Sequence, residues 1–291
     1  MKEFKVWIRC KKEDNQSLNV AMKIADMLEK KGCIVYFHPY IAEKTGVQKE
    51  KILYEKYVNQ ENIDIVVVVG GDGTLLHTVH GLIGRAPKIL GINVESVGFL
   101  YDYDYHEIDR VVKLLEEEKL SIRYRSMGQI NYRSDNSFSK EFFLNEIAIF
   151  NEDFFRILKF KVLLDDEELY EGRADALIVA TTTGSSAYAL SSGGPIVDEE
   201  LECFVIVPVS PFSVLLKPVV VSPNRRIKII PENNIVAIID GLKKINFSKG
   251  DVLEVSKSGV LVPFLTGFSK KTFSRRLLNR LLDKVWSFDI D

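Results

Sequence analysis

The sequence predicts an α/β N-terminal domain with an open, mostly parallel sheet, followed by a β-rich C-terminal domain. Three observations predict it. Strand-like and helical patterns alternate up to about residue 121, and short strand patterns separated by turn clusters take over beyond it. The length, 291 residues, sits at the upper edge of what a single core supports. The expected division is residues 1–122 and 123–270, with a C-terminal helix in 271–291 completing the first domain.

Residues 4–8 read as a strand, and a helix is expected from about Ser17, with Leu18, Ala21, Met22, Ala25 and Leu28 on one face and Gly32 after its lysine-rich end. Residues 33–37 form a second strand pattern and residues 47–58 a second helical one. Residues 65–69, Ile-Val-Val-Val-Val, are an unbroken β-branched run, the pattern of a central parallel strand covered on both faces. A strand at 88–92 and a helix at 108–120 complete the alternation.

In the second part the strand patterns are 130–133, 141–150, 158–164, 177–181, 205–209, 227–230 and 236–239. Turn clusters at 134–137 and 165–168 separate some of them. Residues 273–286 return to helical periodicity through Leu277, Leu278, Leu281 and Leu282.

Composition excludes several classes. With 39 basic against 41 acidic side chains, no bulk charge holds this chain to nucleic acid. At 46% hydrophobic residues it is no disordered chain. The apolar run 203–221 contains Pro208, Pro211, Pro218 and Lys217, which predicts short buried strands and turns and not a membrane span. Cys10, Cys33 and Cys203 show no paired or metal-ligand spacing and predict buried thiols in a reducing compartment, the cytoplasm. The polar N-terminus predicts no signal peptide.

Three segments concentrate the chemistry. Gly70-Gly71-Asp72-Gly73-Thr74 lies directly after the buried strand and before a helical pattern. Glycines there allow a tight turn whose N–H groups face a phosphate, with the helix dipole behind them. The spacing is neither the dinucleotide fingerprint nor the Walker loop. An aspartate in such a cradle repels phosphate, which points to a task of its own: taking a proton from an attacking hydroxyl, or holding a metal. A plain strand-to-helix turn capped by aspartate fits the same residues.

The second segment, Arg173-Ala174-Asp175 followed by Thr181-Thr182-Thr183-Gly184-Ser185-Ser186-Ala187-Tyr188, gathers five hydroxyls around one glycine and opens a helix at Ser185 or Ser186. Small hydroxyl residues bring a ligand close to the backbone; a serine-rich cap is the alternative. The third, Asn145-Glu146, sets two polar residues inside an apolar strand. They point to opposite faces, so at least one is buried with partners or lines a site. His77 and His80 stand at i, i+3 with no third ligand nearby, so a metal pair is not expected, while His77 fits the edge of the phosphate site. The basic tail Lys270, Lys271, Arg275, Arg276 and Arg280 reads as a solvated helix face.

Together these segments resemble one family, the NAD kinases. The glycine loop is similar to that family's signature, Asn145-Glu146 to its second motif, and residues 172–195, GRADALIVATTTGSSAYALSSGGP, to its long and specific third motif. The resemblance implies phosphoryl transfer from ATP to the adenosine 2′-hydroxyl of NAD, helped by Mg²⁺, in a homodimer or homotetramer. Carried over by residue, it implies Asp72 as the base and Gly70, Gly71, Gly73 and Thr74 as the phosphate cradle. It also implies Asn145, Glu146 and Asp175 on ribose, adenine or nicotinamide groups, and Ser186, Ala187, Tyr188 and Ser191 lining the dinucleotide pocket. Phe99 would pack on a base, with Arg173 and His77 at the pocket's edge.

Departures from that pattern are Thr182, where the family usually has proline, and Ser186, where it usually has threonine. Glu95 and Val97 stand for glycine and leucine, Phe212 for histidine, and Leu242 for glutamine. A lipid kinase sharing the Gly-Gly-Asp-Gly loop is one rival, but it leaves residues 172–195 unexplained. A non-catalytic NAD(H)-binding sensor is the other, and Asp72 with Asn145-Glu146 speaks against it.

Overall fold

The computed structural model describes residues 4–85, 87–95, 98–134 and 137–267. The helix expected in 273–286, the completion of the first domain by 271–291 and the basic tail all lie outside the described residues. The chain forms two units. The first runs to Arg125 and resumes at Val262, and the second is Ser126–Leu261.

The first unit is built on five strands, β1 (Lys5–Cys10), β2 (Ile34–Phe37), β3 (Ile65–Gly70), β4 (Lys88–Asn93) and the short β5 (Tyr103–Asp104). They pair in parallel in the order β2-β1-β3-β4, with β5 beside β4. Among the described residues four helices accompany them: α1 (Asn15–Lys30), α2 (Pro39–Thr45), α3 (Asp72–Gly81) and α4 (Ile108–Glu116). The side chain of Asp14 caps α1 by accepting the Ser17 N–H at 3.0 Å. Its apolar face, Val20, Ala21, Ile24, Ala25 and Leu28, packs with Val6, Ile8, Val67 and Val69 into the core. Every residue of β3 is buried, as its β-branched run predicts.

One expected element is corrected here. Residues 47–58 form two single 3₁₀ turns, Lys49–Lys51 and Glu55–Tyr57, in place of a helix. Between them Ile52 bridges to Phe37, and the Leu53 carbonyl accepts the buried indole N–H of Trp7 at 2.9 Å. A helix would take that carbonyl for itself and leave the indole unpaired, so the long-range bond prevails over local periodicity.

The second unit contains two antiparallel sheets. Its strands follow as β6 (Ser121–Ser134), β7 (Ser137–Phe143), β8 (Glu146–Asn151), β9 (Leu158–Leu164), β10 (Glu167–Ala174) and β11 (Ala176–Thr181). After the short helix α5 (Tyr188–Ser191) come β12 (Phe204–Val209), β13 (Val219–Val221), β14 (Ile227–Pro231), β15 (Ile235–Ile239), β16 (Lys243–Phe247) and β17 (Leu253–Thr266). One sheet has the order β13-β12-β11-β8-β15-β16, and the other runs β10-β9-β14-β17. Strands β6 and β17 each straddle a boundary between the units.

Residues alternate between two cores. Ile147, Ile149, Leu177 and Val179 meet Phe160, Val162, Ile227, Ile229 and Val255 of the facing sheet. Ala148, Ile178 and Ala180, on the opposite face of the same strands, pack on Ala189 and Val197. The run 141–150, expected as one strand, is broken at Leu144-Asn145 into β7 and β8. Residues 167–174, partly expected as turn, form the edge strand β10, whose Glu168 and Glu171 pair with Lys161 of β9.

Candidate active site

In the first unit the site grows from the carboxyl ends of parallel strands, where open α/β sheets bind ligands. Gly70 closes β3, Gly71 caps α3 and Asp72 is its first residue. The Asp72 carboxylate accepts the backbone N–H groups of Phe99 at 2.9 Å and Leu100 at 3.0 Å, so its orientation is fixed from outside the helix. Tyr101, next in sequence, donates its hydroxyl to the Gly71 carbonyl at 2.8 Å. Burial first, and then the charges of Asp72 and Glu95, push the Tyr101 phenol well above its ordinary value, so it remains a donor.

The glycines are required by close packing. A Cβ on Gly70 would stand 2.7 Å from the Thr74 hydroxyl and 3.2 Å from Lys11 Cβ. A Cβ on Gly71 would overlap the Glu95 carboxylate. Glu95 pairs with Lys11 at 2.6 Å, so an ion pair from the ends of β1 and β4 stands over the two glycines. Gly73 is open and exposed. The Thr74 carbonyl accepts the Thr78 hydroxyl at 2.8 Å. His77 is exposed on α3, and partial desolvation and then the Arg9 guanidinium hold it below its ordinary value. Among the described residues no group of three His, Cys, Asp or Glu side chains could hold a metal ion.

In the second unit Asn145 and Glu146 are both buried, at 5% and 8% exposure. Glu146 accepts the Tyr188 N–H, which ties the second motif to the third. Burial, and next the Asp240 carboxylate, push its carboxyl up to about 8. The Thr181 N–H donates to the Asn145 carbonyl at 2.8 Å, and the Thr181 hydroxyl to the Leu144 carbonyl at 2.5 Å. Residues Thr183–Ser186 form a 3₁₀ turn and α5 follows, so the expected helix opening at Ser185 or Ser186 is delayed by one turn. The cause is Ala187, whose φ of −101° and ψ of −127° interrupt the helical path.

Ser186 and Ser191 spend their hydroxyls on the carbonyls of Thr183 (3.3 Å) and Tyr188 (3.0 Å). Asp175 and Tyr188 line one groove of about 550 Å³ with Phe150, Phe154 and Arg156. Arg173 is exposed, and its guanidinium lies 4.2 Å from the Phe212 ring centroid. The structure thus gathers Gly70 to Thr74 and Phe99 in the first unit, and Asn145, Glu146, Tyr188 and Asp175 in the second. Asp240, Tyr101 and Lys11 are structural partners of these groups that motif spacing alone does not single out.

Two family profiles match this chain: the ATP-NAD kinase N-terminal domain over residues 6–120 and the ATP-NAD kinase C-terminal domain over residues 144–266. The chain belongs to the ATP-NAD kinase family. An NAD kinase of Chlorobaculum tepidum is 31% identical over 291 residues, with 99% of this chain and 98% of that one covered. A bifunctional NADP phosphatase/NAD kinase of Methanocaldococcus jannaschii is 30% identical over 92% of this chain, which spans 46% of that protein's length. Among solved structures, an NAD kinase from Archaeoglobus fulgidus in complex with ATP superposes with a TM-score of 0.75 at 28% identity, covering 94% of this chain and 99% of that one.

As a member of this family the chain is an NAD kinase, a phosphotransferase, and the lipid-kinase reading falls. Its α/β unit and its β-rich unit are the two domains that the family carries. No helix among the described residues is long and apolar enough to cross a membrane.

Proposed function

We propose that this kinase phosphorylates the adenosine 2′-hydroxyl of NAD with ATP as donor, and that Asp72 takes the hydroxyl proton. The observation that carries the reading is the Asp72 carboxylate, held by the Phe99 and Leu100 N–H groups at the start of α3 inside a glycine loop. As the 2′-oxygen bonds to the γ-phosphorus, its proton passes to Asp72. The bond from the γ-phosphorus to the bridging oxygen breaks, and ADP leaves. The glycine backbone and the N-terminus of α3 face the transferred phosphate.

Asn145, Glu146, Asp175 and Tyr188 bind the nucleoside groups of NAD in this reading. Their support is two buried polar atoms that lack partners, Asn145 Oδ1 and Glu146 Oε2. Mg²⁺ suits hard oxygen donors and usually binds through one or two carboxylates and substrate phosphates. Asp72 is the loop carboxylate that would reach it, with the nucleotide phosphates supplying the remaining oxygens. When bound, the ion neutralises charge developing on those phosphates.

Three unpaired thiols, Cys10 and Cys33 buried and Cys203 half-buried, support a reducing compartment such as the cytoplasm. The exposed Phe155, Val214 and Leu215 of the second unit support assembly into a homodimer or homotetramer.

The test is NADP formation by the purified chain from NAD, ATP and Mg²⁺, with NADH and a lipid acceptor in parallel. Rapid NADP production is expected. Tight NAD binding without product would overturn the kinase reading in favour of a sensor.

A further inference from the structure

The turn joining β15 to β16 carries Asp240 at φ 47° and Gly241 at φ 68°, and it is closed by the Leu242 N–H on the Ile239 carbonyl at 2.8 Å. Two consecutive positive φ values are the hairpin geometry that favours Asn, Asp or Gly. Turn chemistry alone leaves such a side chain in solvent. Asp240 is instead 4% exposed and turned inward.

Its carboxylate gathers three successive N–H groups of another segment. Oδ2 accepts Leu144 at 2.6 Å, and Oδ1 accepts Asn145 at 2.8 Å and Glu146 at 2.9 Å. The Asp240 N–H in turn donates to the Glu146 carbonyl at 3.0 Å. These bonds draw the chain out of the β7 path at Leu144 and let β8 begin at Glu146. From the other side, Thr181 holds the Leu144 and Asn145 carbonyls. The backbone under the second motif is therefore clamped between a buried anion and a strand end, and charge-assisted bonds are the strong ones.

What the clamp presents are the two unpartnered buried atoms, Asn145 Oδ1 and Glu146 Oε2. We propose that Asp240 is a positioning residue for NAD: it fixes the backbone of residues 144–146 so that these atoms await the polar groups of the nucleotide. This rests on the NAD reading above. The same carboxylate adds, after burial, to the upward push on the Glu146 carboxyl. Of the groups that face Glu146, the β15–β16 turn brings the Asp240 carboxylate and α5 the Tyr188 N–H. Strand β11, paired alongside, brings Ala180 and Thr181, which carry no charge.

The experiment uses the full chain with Asp240→Asn and Asp240→Gly, the latter suited to the positive φ. Steady-state kinetics are read against pH, and the Glu146 carboxyl is titrated by carbon NMR without substrate. In Asp240→Asn the KM for NAD rises about tenfold or more, as expected for lost charged hydrogen bonds, while the KM for ATP stays unchanged. The limb near pH 8 in the NAD KM profile, and the Glu146 titration with it, moves to lower pH. A folded variant with unchanged KM for NAD and an unmoved titration overturns the proposal, and so does failure of both variants to fold. Absence of NADP formation by the wild type overturns the NAD reading instead, and the substrate-free titration still decides the role of Asp240.

Discussion

Gly184 lies against the backbone of Asn145: a Cβ built on Gly184 would stand 2.8 Å from Asn145 Cα and closer still to its carbonyl. The contact joins the third motif to the second through main chain alone, and Gly184 is there for space, since its φ is not positive. Gly184→Ala must move Asn145, because no flexible side chain can give way. A loss of about 3 kcal/mol is expected, with a raised KM for NAD. Thermal denaturation and NAD titration check it, and a wild-type melting temperature would count against the contact.

Asp72→Asn keeps the shape and one acceptor oxygen for the Phe99 and Leu100 N–H groups. The fold should survive with a small drop in melting temperature, and kcat should fall by about 10²–10⁴ as the base is lost. Near-normal turnover in a folded variant would remove Asp72 from its role.

Gly71→Ala has the opposite character. The three atoms nearest its Cβ all belong to the Glu95 carboxylate, the far end of a half-exposed chain paired with Lys11. Displacing that pair costs about 1 kcal/mol or less, because exposed ion pairs contribute little. The new methyl stands where a phosphate would approach the backbone, so the KM for ATP should rise. Adding Glu95→Ala should restore stability and leave the KM for ATP high. Kinetics and melting curves of the single and double variants separate the two effects.

Glu146 makes stability depend on pH. Its carboxyl is pushed up to about 8 in the folded chain, chiefly by burial, against about 4.3 in the unfolded one. Between those values the folded protein keeps a proton that the unfolded chain has released. The stabilisation is therefore complete below about pH 4.3 and is lost as the pH rises through about 8. Glu146→Gln removes this dependence, so its melting temperature should fall less steeply over that window than that of the wild type. Parallel slopes for the two proteins would contradict the raised value.

Much of the first unit is legible in the sequence because its signals are local. The β-branched run of β3 followed by two glycines and a helical pattern admits few other folds. Residues 47–58 misled for the converse reason: their helical spacing is real, but Leu53 answers to Trp7, which lies 46 residues away. Strand β10 hides behind acidic residues because it is an edge, where charge is tolerated if Lys161 stands opposite. In the site, the motif residues are legible and their supports are not. Asp240 looks like an ordinary hairpin aspartate until residues 144–146 are placed beneath it, and Lys11 carries no signal until Glu95 is beside it.

The chain enters the second unit within β6 and leaves it within β17, and the last part of β17 returns to the first unit, where Phe264 pairs beside Ile89 of β4 under the Arg125 guanidinium. On a ribosome, that place beside β4 stays vacant until all of Ser126–Leu261 has emerged. At ordinary translation speeds the wait is on the order of ten seconds. For that time the nascent α/β layer carries an open strand edge at Ile89, and its closure reports that the β-rich unit has been synthesised in full.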